Sequence, residues 1–179
     1  MSEPRHLQIA RSYIGVIEIP GPQHNPTIQK WNRRLKASWG DDETPWCGTF
    51  VAACLDEAGL PIIGQWASSR AWNQYGARLQ ADRLAPGAIM VFWRGSPQSW
   101  QGHVGFYVGE DPTHYHILGG NQSERDPATG RLKHTGGVNV MRIPKARFVG
   151  ARWPRGLPVL GGPVHLSAAG VPVTSGNEV

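Results

Sequence analysis

The sequence predicts an α+β domain, with N-terminal helices packed on an antiparallel β-sheet of about five strands. Three observations predict it. Apolar residues recur at helical spacing as far as about residue 75. From residue 86 they gather instead in short runs bounded by Gly, Pro, Asn and Asp, the pattern of strands and turns. The 179-residue length suits one core, and 40% hydrophobic with 17% charged residues is a globular composition.

The elements follow in order. Leu7, Ala10 and Ile14 share a helical face over residues 4–14, and Gly15 stops that helix. Gly21 to Asn25 reads as a turn. Asn25-Pro26 then reads as an N-cap and first helical residue, with Ile28, Trp31 and Leu35 as the apolar stripe. Thr44 is placed to cap a third helix that begins at Pro45. Its stripe is Phe50, Val51, Cys54, Leu55 and Ala58, and Gly59-Leu60-Pro61 ends it. A shorter helix is expected over 69–75. Strands are expected over 88–93, 103–108, 114–118, 138–143 and 148–153. The polar segment 122–137 reads as a loop. Residues 1–155 form the predicted domain, and the Gly-, Pro- and Ser-rich 156–179 a weakly packed tail.

Charge and composition narrow the partners. A formal net charge of +5 favours polyanionic surfaces, but no basic run exceeds Arg33-Arg34, with Lys36 closing that cluster. A dedicated nucleic-acid arm is therefore not expected. The N-terminus lacks an apolar h-region and no run of 18 apolar residues occurs, so neither a Sec signal nor stable membrane insertion is expected. Eight Trp residues is an unusual number: core and surface packing accounts for most of them, and a surplus can line a groove that binds sugar or peptide. Cys47 and Cys54, seven residues apart on one helix, stand about 10 Å apart, too far for a disulfide.

Three positions carry candidate chemistry. Cys47 falls in the first turn of the third helix, where the macrodipole and free backbone N–H groups favour a thiolate and can hold an oxyanion. His103 opens a strand after Gly102 and is placed to act as general base. Asn121 follows Gly119-Gly120 at the end of the next strand, so an antiparallel hairpin returns it beside His103. There it can fix the imidazole tautomer, with Gln122 assisting. Trp46 is expected to wall the cleft. Asp42 and Glu43 either bind a substrate amine or merely favour the helix start. A zinc site built from Cys47, His103, His114 and His116 lacks any C-x-x-C or H-E-x-x-H spacing, so no metal and no cofactor is expected.

Thr44-Pro-Trp-Cys-Gly-Thr-Phe-Val51, Gly102-His-Val-Gly-Phe-Tyr-Val-Gly109 and Leu118-Gly-Gly-Asn-Gln122 together resemble the CHAP and NlpC/P60 superfamily of papain-like peptidoglycan hydrolases, most closely a phage-type branch. The resemblance runs from about residue 5 to 153 and includes His24-Asn25-Pro26. It implies the papain-like fold and a cysteine endopeptidase or N-acetylmuramoyl-L-alanine amidase acting through an acyl-enzyme. Cys47 is then the nucleophile, His103 the base and Asn121 the orienting residue. Many CHAP relatives carry Glu two residues before that Asn; Gly119 stands there in this chain. The implied substrate is bacterial peptidoglycan, cut by a monomeric, endolysin-like enzyme. It would be made in the cytoplasm and reach the wall by holin-type release or injection. A tail-associated lysin, an injected antibacterial effector with an immunity protein, and a non-catalytic wall-binding module are the alternatives.

Overall fold

Helix α1 spans Arg5–Ser12, α2 Pro26–Arg34 and α3 Cys47–Glu57 in a computed structural model that describes residues 3–126 and 128–173. Asn25 caps α2 as expected, its side chain accepting from the Thr27 N–H at 2.9 Å with Pro26 at the helix start. In α3 every residue from Cys47 to Leu55 is buried, because the helix lies between the sheet and the other two helices. A helix that is apolar all round has no solvent face to offer. Gly59, at φ +74°, supplies the left-handed residue that stops it.

Six strands follow: β1 Ala77–Leu79, β2 Ile89–Trp93, β3 Gly102–Glu110, β4 His114–Arg125, β5 Leu132–Pro144 and β6 Phe148–Trp153. They form one antiparallel sheet in the order β1-β6-β2-β3-β4-β5. The α+β class is as predicted, with one strand more. The three-residue β1 pairs with β6 at the edge and is too short to leave a period in the sequence.

Strand alternation divides the core. Ile89, Val91, Val104, Phe106, Leu118 and Val138 face α3. Met90, Phe92, Tyr107, Ile117 and Ile143 fill a second cluster on the other face, closed by Trp153. The expected loop 122–137 is corrected, because β4 runs on to Arg125 and β5 starts at Leu132. This arm of the hairpin has no core face to demand apolar residues. Glu124 instead holds Lys133 at 2.9 Å and His134 at 3.2 Å across the strands.

Within the expected tail, residues 156–179, one described segment docks on the sheet while most of its neighbours are exposed. Residues 164–166 run parallel to the end of β3. The Glu110 N–H donates to the Val164 carbonyl and the Leu166 N–H to the Glu110 carbonyl, both at 2.8 Å. Val164 N–H donates to Tyr107 Oη at 3.1 Å. Leu166, 9% exposed, packs on Gly109, where a Cβ would collide with its side chain. The final residues, 174–179, lie outside the described part.

Leu166→Ala should therefore destabilise the fold by about 2 kcal/mol, a fall in Tm of about 4–8 °C in a calorimetric scan. Truncation after Arg155 should cost more. An unchanged Tm in either variant would show that the segment is idle.

Candidate active site

The start of α3 is open. Cys47 is its first residue, and the preceding Trp46 makes no side-chain cap. Thr44 is not the cap that its position suggested. Asp41 accepts its N–H and its hydroxyl, and the chain turns once more before the helix begins. The N-cap position thus supplies no side-chain acceptor to the first amides of α3. Gly48 lets the segment at Trp66 and Ala67 close on the helix start, since a Cβ there would strike the Trp66 carbonyl oxygen. The Cys47 thiol lies against β3, where the backbone N–H of Val104 acts on it.

His103 is the residue just before Val104 and is 7% exposed. Its Nε2 pairs with Gln122 Oε1 at 2.8 Å. Gln122 is itself fixed, because its Nε2 donates to the Asn139 carbonyl at 2.7 Å, to Asn139 Oδ1 at 3.0 Å and to the Ile117 carbonyl at 3.3 Å. Backbone carbonyls only accept, so the amide cannot be turned round. Gln122 Oε1 must then accept from His103, which puts the imidazole proton on Nε2 and leaves Nδ1 as the free lone pair. Nδ1 has no hydrogen-bond partner among the described residues, and no hydrogen bond joins it to the Cys47 sulfur.

Asn121 does not occupy the orienting position that was expected of it. The register of β4 against β5 passes from Gly119↔Asn139 to Gln122↔Gly137, three steps on one strand against two on the other. The extra residue is a bulge, and Asn121 takes it up in the left-handed region at φ +56°. In a regular strand 119 and 121 share a face; the bulge passes that face to 122. Gly119 completes the arrangement, because a Cβ there would lie 2.5 Å from Gln122 Oε1 and 3.1 Å from His103 Nε2. Gln122 fills the space that a side chain at 119 would take. Gly120 likewise lets β4 press on the Trp46 ring and Phe50. Asn139, which the sequence did not mark, belongs to this chain of bonds.

Two separate pockets, called lobes below, share Arg94 among their lining residues. One, of about 500 Å³, holds Cys47, Ser68, Ser69, Trp100 and Gly102. The other, of about 220 Å³, holds His103, Asn121, Gln122, Arg142 and Arg147. Trp46 does not wall either lobe; it is fully buried against Trp31 and Phe50. The exposed indole at the rim is Trp100, 84% accessible. Asp42 and Glu43 line neither lobe. Asp42 is buried and accepts from the Ile19 and Asn25 N–H groups and from His24. Glu43 accepts from the Gly21 N–H. Both tie down the segment between α1 and α2. His116 and Arg142 hold the buried Asp111, and Arg142 also meets His114. Among the described residues no three metal-ligating side chains gather.

Burial decides the charge states. It pushes the Cys47 thiol above its ordinary value, although the Val104 and Gly48 N–H groups and the Arg94 charge work the other way. Burial also pushes His103 down to about 4, against the Gln122 hydrogen bond and with the help of Arg94. Burial thus favours the neutral thiol and the neutral imidazole, against the pull of the helix start toward a thiolate.

Two outcomes follow. In imidazole 15N spectra, His103 should be the Nε2–H tautomer in wild type and in Asn121→Ala. It should become a mixture in Gln122→Ala and Gly119→Ala; a mixture in Asn121→Ala alone would restore Asn121 to the role. A depressed imidazole pKa gives stability that is full above the unfolded value near 6.5 and lost as pH falls through about 4. That share is on the order of 3 kcal/mol. The melting temperature should fall across this window, and His103→Gln should flatten the fall; an equally steep fall in that variant would contradict the assignment.

No curated protein and no solved structure is similar enough to the chain to count as a match. Residues 39–121 do match the family model of the CHAP domain. That span begins before α3 and ends at Asn121, so it holds Cys47 and His103 and stops one residue short of Gln122. The N-terminal helices and antiparallel sheet agree with the papain-like arrangement of that family. The match over residues 39–121 is consistent with the CHAP and NlpC/P60 superfamily, and it indicates a peptidoglycan hydrolase-type function in general.

Proposed function

We propose that the chain hydrolyses an amide bond in the peptide part of peptidoglycan through a thioester on Cys47. The observation that carries this reading is the open start of α3. It holds Cys47 against the strand residue that follows an imidazole of fixed tautomer. In this reading Nδ1 of His103 takes the thiol proton as sulfur attacks the carbonyl carbon. The first N–H groups of α3 receive the oxyanion, and the proton passes to the leaving amine. Water, deprotonated by the same nitrogen, then splits the thioester and frees the thiol. Gln122 keeps the imidazole in register, with Asn139 behind it. Trp100 gives the cleft an exposed indole for sugar or peptide to rest on.

The finer role proposed is endolysin-like, with cleavage at the muramoyl–L-alanine bond or within the stem. A tail lysin or an injected effector would use the same chemistry. Mass spectrometry of digested, purified peptidoglycan identifies the bond directly.

Cys47→Ala should fold normally and release no soluble fragments from purified sacculi, and His103→Ala should lose at least about 1,000-fold in rate. Fragment release by Cys47→Ala at the wild-type rate would overturn the reading. Because burial favours the neutral thiol, alkylation of Cys47 by iodoacetamide should climb steadily with pH to beyond 9, the ordinary thiol value. A plateau from pH 6 would show a thiolate–imidazolium pair instead. Cys54, fully buried and pushed further up, should label more slowly throughout.

A further inference from the structure

The cleft has a charge of its own that the catalytic reading does not use. Neither lobe is lined by an Asp or a Glu. Arg94 lines both, standing between the Cys47 side and the His103 side. It is the first residue after β2, and its N–H donates to the Gln101 carbonyl at 3.2 Å, which closes the β2–β3 connection. Its guanidinium is exposed and makes no ion pair or side-chain hydrogen bond among the described residues. Arg147 lies over the Trp93 ring at 5.8 Å and also lines the His103 lobe without a carboxylate partner among those residues. Arg142, in the same lobe, is already held by Asp111 at 2.8 Å. The acidic residues that the sequence offered for a substrate amine, Asp42 and Glu43, are spent on the α1–α2 segment.

We infer that Arg94, with Arg147 beside it, is a specificity site for a free carboxylate on the peptide strand whose amide is cut. The inference rests on the hydrolase reading above and names what its substrate must carry. A guanidinium fork matches a carboxylate in two parallel hydrogen bonds, and in a partly enclosed cleft such a pair orients the strand. Arg94 lines both lobes, so a carboxylate bound there stands between the Cys47 side and the His103 side and restrains the strand relative to both. Docking also offsets the positive charge that Arg94 places near the imidazole, which makes His103 a better base once substrate is seated. Two carboxylates of a stem peptide have this chemistry: the free α-carboxylate of a γ-linked D-glutamate, and the C-terminal carboxylate of the stem.

Soluble muropeptides made in three forms separate these sources: both carboxylates free, the glutamate carboxylate amidated, and the C-terminal carboxylate amidated. Wild type should lose about tenfold or more in kcat/KM on one amidated form, the scale of one charge-assisted hydrogen bond. That form identifies the carboxylate. Arg94→Gln should lose the same factor on the free form and show no further loss on the amidated one. Arg147→Gln should lower the discrimination in part. Arg83→Gln, which removes an equal charge from an exposed site lining neither lobe, should keep the full discrimination. A wild type that cuts all three forms equally, or an Arg94→Gln variant that keeps the preference, would overturn the carboxylate site and leave the hydrolase reading intact. A wild type that cuts neither muropeptides nor sacculi would overturn the hydrolase reading, and this inference with it.

Discussion

Helix α3 has almost no surface of its own, and the rest of the molecule is arranged around that fact. Nine consecutive residues from Cys47 to Leu55 are buried. Its start can approach the sheet only because the chain carries glycine where a Cβ would intrude. Gly120 clears the space over Trp46 and Phe50, and Gly48 admits the Trp66–Ala67 segment. Burial of the Phe50, Val51 and Leu55 side chains is worth about 2 kcal/mol each. This packing carries Cys47 to the edge of the core and brings its sulfur against β3. The position of the thiol is therefore a by-product of core packing and does not rest on a flexible loop.

The same burial sets the chemistry. A thiol and an imidazole moved out of water both lose their charged forms, and the helix start and the Arg94 charge do not reverse that for Cys47. A neutral pair needs an imidazole whose lone pair is already presented. The run of hydrogen bonds from Asn139 through Gln122 to His103 meets that need, since each amide is fixed by carbonyls that can only accept. Arg94 places a positive charge near both groups and lines both lobes, with no ion-pair partner among the described residues.

The sequence was legible where a local signal coincided with packing. Asn25-Pro26 marked a helix start because capping is a contact between near neighbours. The apolar stripe of α3 and the runs at Ile89–Trp93 and Phe148–Trp153 showed as period and composition. Cys47 and His103 lie within those elements, and their placement on α3 and β3 could be read with them. Asn121 and Gln122 could not be told apart, because the choice depends on one extra residue in β4 relative to a strand seventeen residues further on. Asn139 had no motif around it for the same reason. Trp46 and Trp100 are both tryptophans beside Gly- and Pro-containing segments, and only the tertiary packing decides that the first is core and the second rim. Val164 to Leu166 were hidden because a strand segment of that length, held by a single bridge to Glu110, has no period to detect.

In the proposed reaction an acyl group passes through the sulfur of Cys47. Rapid quenching of wild-type enzyme with excess soluble muropeptide, followed by intact-protein and peptide mass spectrometry, tests it most directly. The account predicts a transient mass increase equal to the acyl half of the cleaved muropeptide, localised to the peptide that contains Cys47 and removed by hydroxylamine. Turnover with no adduct at any quench time, together with fragments still released by a chain whose Cys47 is alkylated, would contradict it.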